Sequence, residues 1–262
     1  MQTDSPVLLE IKDHIAEIRF NRPKGLNAIN VELANTFRDI VTEVASNTNV
    51  RVIVLSGEGR AFMAGGDLAF MRNADDSADA ARQLVEPMHG ALELLAQAPQ
   101  PVIASVHGAI AGAGMSISLF ADLVIAADDA VFNMAYIKVG NNPDCAGSWI
   151  LPRLVGLHKA LEIALLAENI RADEALRLGL INRIVPREKL AEETQALANK
   201  LAQSAPLAVA ATKRLLRTSL DHTLKQQLDA EAKNFVANAG TADFGEALSA
   251  FFEKRPAKFE GR

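Results

Sequence analysis

The chain has 262 residues, 49% of them apolar, which is enough to bury a full core as one domain with a terminal extension. A net charge of −5 and a pI near 5.6 leave no broad basic field for neutralising phosphates, which argues against a nucleic-acid surface. The single cysteine, Cys145, cannot close an internal disulfide, and five histidines without Cys/His clustering along the chain imply no metal site.

The opening Met1-Gln-Thr-Asp-Ser-Pro lacks the basic and apolar regions of a signal peptide, so the expected location is cytoplasmic. Val7–Lys12 and Ile15–Phe20 read as strands flanking Asp13-His14, a hairpin that opens the fold. Asn21-Arg-Pro-Lys-Gly25 turns the chain. Asn30 is placed to cap a helix whose apolar residues Leu33, Phe37, Ile40, Val41 and Val44 fall at helical spacing. A strand over 51–56 follows, then a small-residue loop from Gly57 to Leu68. The polar stretch from Asn73 to Asp79 reads as a mobile entrance to a long helix through Leu84, Met88, Leu92 and Leu95, which Pro99 and Pro101 end.

Next comes the stretch on which the chain is centred. Val102 to Val106 reads as a buried strand, Gly108, Gly112 and Gly114 break it, and the small and apolar residues up to Ala121 read as a buried helix. Residues 94–121 carry no Asp, Glu, Lys or Arg, but two prolines and three glycines interrupt them, so no membrane helix is expected. A strand followed by a glycine loop and a helix lets a ligand approach backbone, and the free N–H groups of the helix's first turn favour an oxyanion or a phosphate. With the loop at 57–68, two such turns can aim two N–H groups at one oxygen.

Strands over 123–127 and 130–133, joined by Asp128-Asp129, repeat the same unit, which suggests a spiral of strand-strand-helix units. From Gly147 onward the chain reads as mostly helical, with a short helix from Asp173 to Gly179, a strand over 181–185, and helices near 188–203, 206–219, 222–238 and 243–253. So many amphipathic helices after a compact core commonly cover a neighbour as well.

The two glycine loops, Asn21-Arg-Pro-Lys24-Gly-Leu26-Asn27-Ala28, and the tail around Phe251 and Lys254 together resemble the enoyl-CoA hydratase/isomerase (crotonase) superfamily over nearly the whole chain. The resemblance implies an α/β fold, a crotonase-like spiral over 1–203 that carries an acyl-CoA site, and a C-terminal helical region over 204–262 that builds a homotrimer, often paired into a hexamer. It implies that the backbone N–H groups of Gly66 and Ala113 form an oxyanion hole for a thioester oxygen. Lys24, Leu26, Ala28, Ala64, Asp67 and Leu68 match positions around coenzyme A, while Phe251 and Lys254 match residues offered by the neighbouring subunit. Coenzyme A arrives as part of the substrate, and no permanently bound cofactor is expected.

The glutamates that serve hydration in the resembled hydratases are matched here by Ser116 and Tyr136, neither a carboxylate. Asp144, in Pro143-Asp-Cys145, matches the catalytic aspartate of the ring-opening isomerases of phenylacetyl-CoA degradation. On its residue type and position alone, Asp144 also reads as an N-cap of the following helix. The favoured expectation is an enoyl-CoA isomerase with Asp144 as proton shuttle. Hydration remains an alternative, as does hydrolysis of the halobenzoyl-CoA dehalogenase kind, in which Asp144 and His89 match a nucleophile and a water-activating histidine; His89 also reads as a helix residue beside the pocket. Tyr136 reads as pocket wall. A non-catalytic acyl-CoA-binding subunit stays in view, and a nicotinamide oxidoreductase ranks below it because Gly108-x-x-x-Gly112-x-Gly114 lacks the dinucleotide order.

Overall fold

The computed structural model describes residues 4–262. Strands β1 (Val7–Lys12) and β2 (Ile15–Phe20) pair as the expected hairpin, with Asp13 and His14 both at positive φ, the conformation that a two-residue turn between twisted strands requires. Helix α1 (Val31–Ser46) starts where its cap does, the Asn30 side chain accepting the Leu33 N–H at 3.0 Å. The chain then repeats one unit. First come β3 (Val52–Gly57), β4 (Ala61–Met63), α2 (Leu68–Asn73) and α3 (Ser77–Gln97). Next are β5 (Val102–Val106), β6 (Ala109–Ala111) and α4 (Ala113–Phe120), and then β7 (Leu123–Ala127), β8 (Val131–Asn133), α5 (Gly147–Val155) and α6 (Leu157–Leu166).

Each turn of this spiral gives one strand to each of two sheets. The larger has the order β1-β2-β3-β5-β7-β10, with β10 at Arg183–Val185, and is parallel apart from the opening hairpin. The smaller has the order β4-β6-β8-β9, with β9 at Ile170–Arg171. Two segments expected as plain glycine loops therefore contain short strands, β4 and β6. Three residues are too few to show periodicity, and it is their partners across the sheet that make them strands. The segment 73–79 is likewise more structured than expected, because α2 runs to Asn73 and the Asp76 carboxylate caps α3 through the N–H groups of Ala78 and Asp79.

Alternation along the strands explains why the large sheet has helices on both faces. Ala16, Ile18, Phe20, Ile53, Leu55, Ala104 and Val106 join the main core, whereas Ile15, Val52, Val54, Ile103 and Ile125 pack under α8 (Leu190–Ala202). Helix α7 (Ala172–Arg177) links β9 to Gly179, and α9 (Pro206–Thr218), α10 (Leu224–Ala239) and α11 (Ala242–Glu253) complete the chain. Helix α9 is fixed to the core by buried charge. Lys213 donates to the carbonyls of Leu95 and Gln100, at 3.0 and 2.7 Å, and pairs with Asp122, which Arg217 also holds. Among the described residues no helix is long and apolar enough to cross a membrane.

The glycine that decides how closely the layers pack is Gly114, where a Cβ would lie 2.1 Å from the Met63 carbonyl oxygen, far inside contact distance. Gly114→Ala must push α4 off β4 and is expected to destabilise the fold by about 3 kcal/mol or more. Gly90→Ala, inside α3 with open space at its Cβ, is expected to stabilise by roughly 0.5–1 kcal/mol. Denaturant melts of the two variants check both signs.

Candidate active site

Two strand-to-helix turns meet at the site. After β4 the chain passes through Ala64, Gly65 and Gly66. The Ile29 N–H donates to the Gly65 carbonyl at 2.8 Å and the Asp67 N–H donates to the Ile29 carbonyl at 2.9 Å, so the intervening Gly66 N–H is turned away from Ile29. After β6 the chain turns at Gly112, and Ala113 is the first residue of α4, so its N–H has no acceptor within the helix. The turns touch: a Cβ built on Gly65, whose φ is +96°, would lie 3.7 Å from the Ala113 nitrogen. Two free backbone donors thus sit side by side at a helix N-terminus.

They border a cavity of about 140 Å³ whose walls include Leu68, Met71, Leu84, Val85, Met88 and Tyr136. Among its described lining residues Asp144 is the single carboxylic acid. The expectation that Asp144 caps α5 does not hold. The cap residue is Ala146, without a side-chain bond, and with Cys145 and Ala146 both left-handed it is the Asp144 carbonyl, not its carboxylate, that accepts the Gly147 N–H of α5. Its carboxylate instead meets His89 of α3, Nε2 to Oδ1 at 2.9 Å.

Ser116 and Tyr136 are joined to each other. Ser116 is fully buried, its hydroxyl 3.0 Å from the Tyr136 hydroxyl, and the Tyr136 hydroxyl donates to the Asp144 carbonyl at 3.2 Å. A Cβ on Gly147 would strike the Ser116 hydroxyl at 2.4 Å, so this glycine lets the start of α5 close over α4. Burial pushes the Tyr136 phenol well above its ordinary range, with Cys145 and Asp144 adding to the shift. The phenol is therefore neutral and serves as wall and tether. The ligating atoms of His89, Asp144 and Cys145 lie within 4.8 Å of one another, a cluster that linear spacing did not reveal. Cys145 is buried, however, and burial followed by the Asp144 charge raises its thiol, which leaves the sulfur protonated and a poor metal ligand.

The other predicted positions divide. Ala64, Leu68 and Gly66 line the cavity; Leu26 lies at its edge, its carbonyl accepting the Ala64 N–H at 3.0 Å, and Ala28 precedes the lining residue Ile29. Lys24 is exposed on the turn that leads there. Asp67 has structural duties, pairing with Arg22 at 3.1 Å and accepting the Phe70 N–H as the cap of α2. Phe251 and Lys254, at the end of α11, are not brought to this cavity by their own chain. Sequence reasoning missed the role of Asn27, whose buried amide donates to the carbonyls of Glu58, Ala61 and Phe62 and so ties the Lys24–Ala28 turn to β4. Its left-handed φ, common for Asn, was the available signal.

Paired backbone donors beside an apolar cavity with one carboxylate are suited to holding a carbonyl oxygen while a proton leaves the neighbouring carbon. The sequence model of the enoyl-CoA hydratase/isomerase family matches residues 10–262. The chain belongs to that family. A protein of Rhodobacter capsulatus named probable enoyl-CoA hydratase is 39% identical over 253 residues, covering 97% of each chain. The 1,2-epoxyphenylacetyl-CoA isomerase of Escherichia coli K12 is 36% identical over 260 residues, covering 98% of each. The crystal structure of an enoyl-CoA hydratase from Bacillus anthracis superposes with a TM-score of 0.93 at 30% identity, covering 98% of this chain and 100% of that one. This chain therefore has the crotonase fold and is an acyl-CoA enzyme of the family.

Tyr136 is the single tyrosine, which makes its titration readable. Because the fold favours the neutral phenol, the stability it contributes is present below the ordinary pKa of 10 and is lost as pH rises above that value. The phenolate absorbance of folded protein is expected to appear at higher pH than that of protein unfolded in guanidinium; coincident titrations would contradict the burial.

Proposed function

We propose that this family member is an enoyl-CoA isomerase that moves the double bond of a 3-enoyl thioester into conjugation. The observation that carries the reading is that Asp144 is the one carboxylate among the described residues lining the cavity that Gly66 and Ala113 also border. Asp144 takes a proton from the α-carbon, the electrons delocalise onto the thioester oxygen held by the two N–H groups, and the same carboxyl returns a proton at the γ-carbon. Each preorganised donor is worth roughly 2.7–4 kcal/mol in the transition state. The Escherichia coli relative is named an isomerase of an acyl-CoA, 1,2-epoxyphenylacetyl-CoA, which favours isomerisation as the reaction class.

Hydration is the second reading, favoured by the name of the Rhodobacter relative. Against it stands the Ser116–Tyr136 pair, which supplies no second carboxylate to activate water. Coenzyme A would lie along Lys24, Leu26, Ala28 and Ala64, with Phe251 and Lys254 contributed by another copy in a homotrimer or a pair of trimers acting in the cytoplasm. No resident cofactor enters the scheme.

Incubation with a 3-enoyl-CoA is expected to raise the absorbance of the conjugated thioester. Asp144→Asn should lower kcat by about 10²–10⁴-fold while leaving CoA-ester binding intact. Conversion that survives the substitution, or hydration of crotonyl-CoA without any double-bond shift, would reject the isomerase. Lys24→Ala and Lys254→Ala should each weaken CoA-ester binding by about 0.5–1 kcal/mol, less at high salt; affinities unchanged in calorimetry would remove these lysines from the site.

A further inference from the structure

Asp144 ends a stretch of chain without regular structure. Its carbonyl is pinned by the Tyr136 hydroxyl and, at 2.9 Å, by the Gly147 N–H; these bonds do not hold the carboxylate, which lies beside the Cys145 thiol and against His89. Among the described residues its one ion-pair partner is His89, and no lysine or arginine is paired with it. The contact joins positions 55 residues apart, one on α3 and one before α5.

The helix shows which side of the carboxylate the imidazole occupies. Ala81, Leu84, Val85 and Met88 line the inner cavity, whereas His89, Leu92, Glu93 and Ala96 line a separate outer cavity of about 700 Å³. These are adjacent stripes of α3 at helical spacing, and His89 begins the outer one. Asp144 borders both cavities. The imidazole is half-exposed and lines the outer cavity only, so it meets the carboxylate from the outer side.

We propose that His89 is a positioning residue: its Nε2 holds Oδ1 of Asp144 from the outer cavity, which fixes the carboxylate plane and leaves the second oxygen to work on the substrate. The proposal rests on Asp144 being the base. This role differs from water activation, in which the imidazole itself would take a proton from water.

The test compares His89→Leu, which fills the ring's space without a donor, with His89→Gln, which restores an N–H. Two quantities are read: exchange of the thioester α-proton into D2O by NMR, which reports proton abstraction alone, and kcat and KM for the double-bond shift. The Leu variant should lose about 10–100-fold in exchange and kcat, in line with the cost of misplacing a reacting group, with KM within about twofold; Gln should recover most of the loss. Wild-type exchange in the Leu variant, a loss confined to KM, or Gln no better than Leu would overturn the proposal. Should Leu fail to fold, His89→Ala at this half-exposed position carries the same comparison. Exchange without any double-bond shift in the wild type would reject the isomerase and leave the role of His89 measurable; no exchange in the wild type would reject both.

Discussion

The structure depends on one close approach, that of α4 to β4 across Gly114. With the Met63 carbonyl directly against the Cα of Gly114, the turn after β6 lies flush with the turn after β4. Everything chemical about the site follows from that contact. The free N–H of Ala113 comes alongside Gly66 because Gly114 leaves no side chain between α4 and β4 and because Gly65 and Gly112 turn the chain at positive φ. Neither turn binds an oxyanion well alone, since one backbone donor in an apolar cavity is a weak ligand. Held together by a packed core, the pair costs no reorganisation when charge develops on the substrate. The spiral topology is what delivers the pair, because successive turns place equivalent strand-to-helix junctions one sheet spacing apart.

A second constraint narrows the chemistry. Ser116 and Tyr136 occupy, by resemblance, the places of two glutamates, and the structure shows that they are bonded to each other, not vacant. A buried phenol and a buried serine hydroxyl that satisfy one another need no water between them. They also fix Asp144, because the same phenol holds its backbone. The pair that stands in place of two glutamates thus also anchors the backbone of the remaining carboxylate.

Much of this was legible in the sequence, and what was not has a physical reason. The hairpin at Asp13-His14, the Asn30 cap, the β5-to-α4 passage and the C-terminal helices depend on local chemistry of turns, caps and periodicity, and they appear where those signals lie. The strands β4 and β6 do not carry such a signal; they exist because neighbouring turns of the spiral pair with them. The site divides in the same way. Gly66, Ala113 and Asp144, picked out by motif, border one cavity, but the His89–Asp144 bond spans two elements and has no trace in the linear spacing of either. The same holds for Asn27, whose donors reach residues more than 30 positions away. Asp67, expected around coenzyme A, also pairs with Arg22 and caps α2, contacts that motif matching does not reveal.

The C-terminal helices raise a question of stability that a single chain does not answer. Helix α10 buries none of its residues, although Leu224, Leu228, Phe235 and Val236 are 54–75% exposed apolar side chains along its 16 residues. Its start is secured by a capping box between Thr223 and Gln226, worth about 1 kcal/mol. That is little against the ordering entropy of such a helix, since isolated helices of this length are marginal in water and most helical stability comes from packing an apolar face. Helix α11 adds Phe251 and Phe252, more than three-quarters exposed and stacked edge to face. An apolar surface of this extent on α10 and α11 supports the proposed trimer independently of the ligand argument, because covering it gives the helices the burial they lack. Covering it with another copy would also bring Phe251 and Lys254, which lie away from their own cavity, to the surface of a neighbour, as the proposed trimer requires.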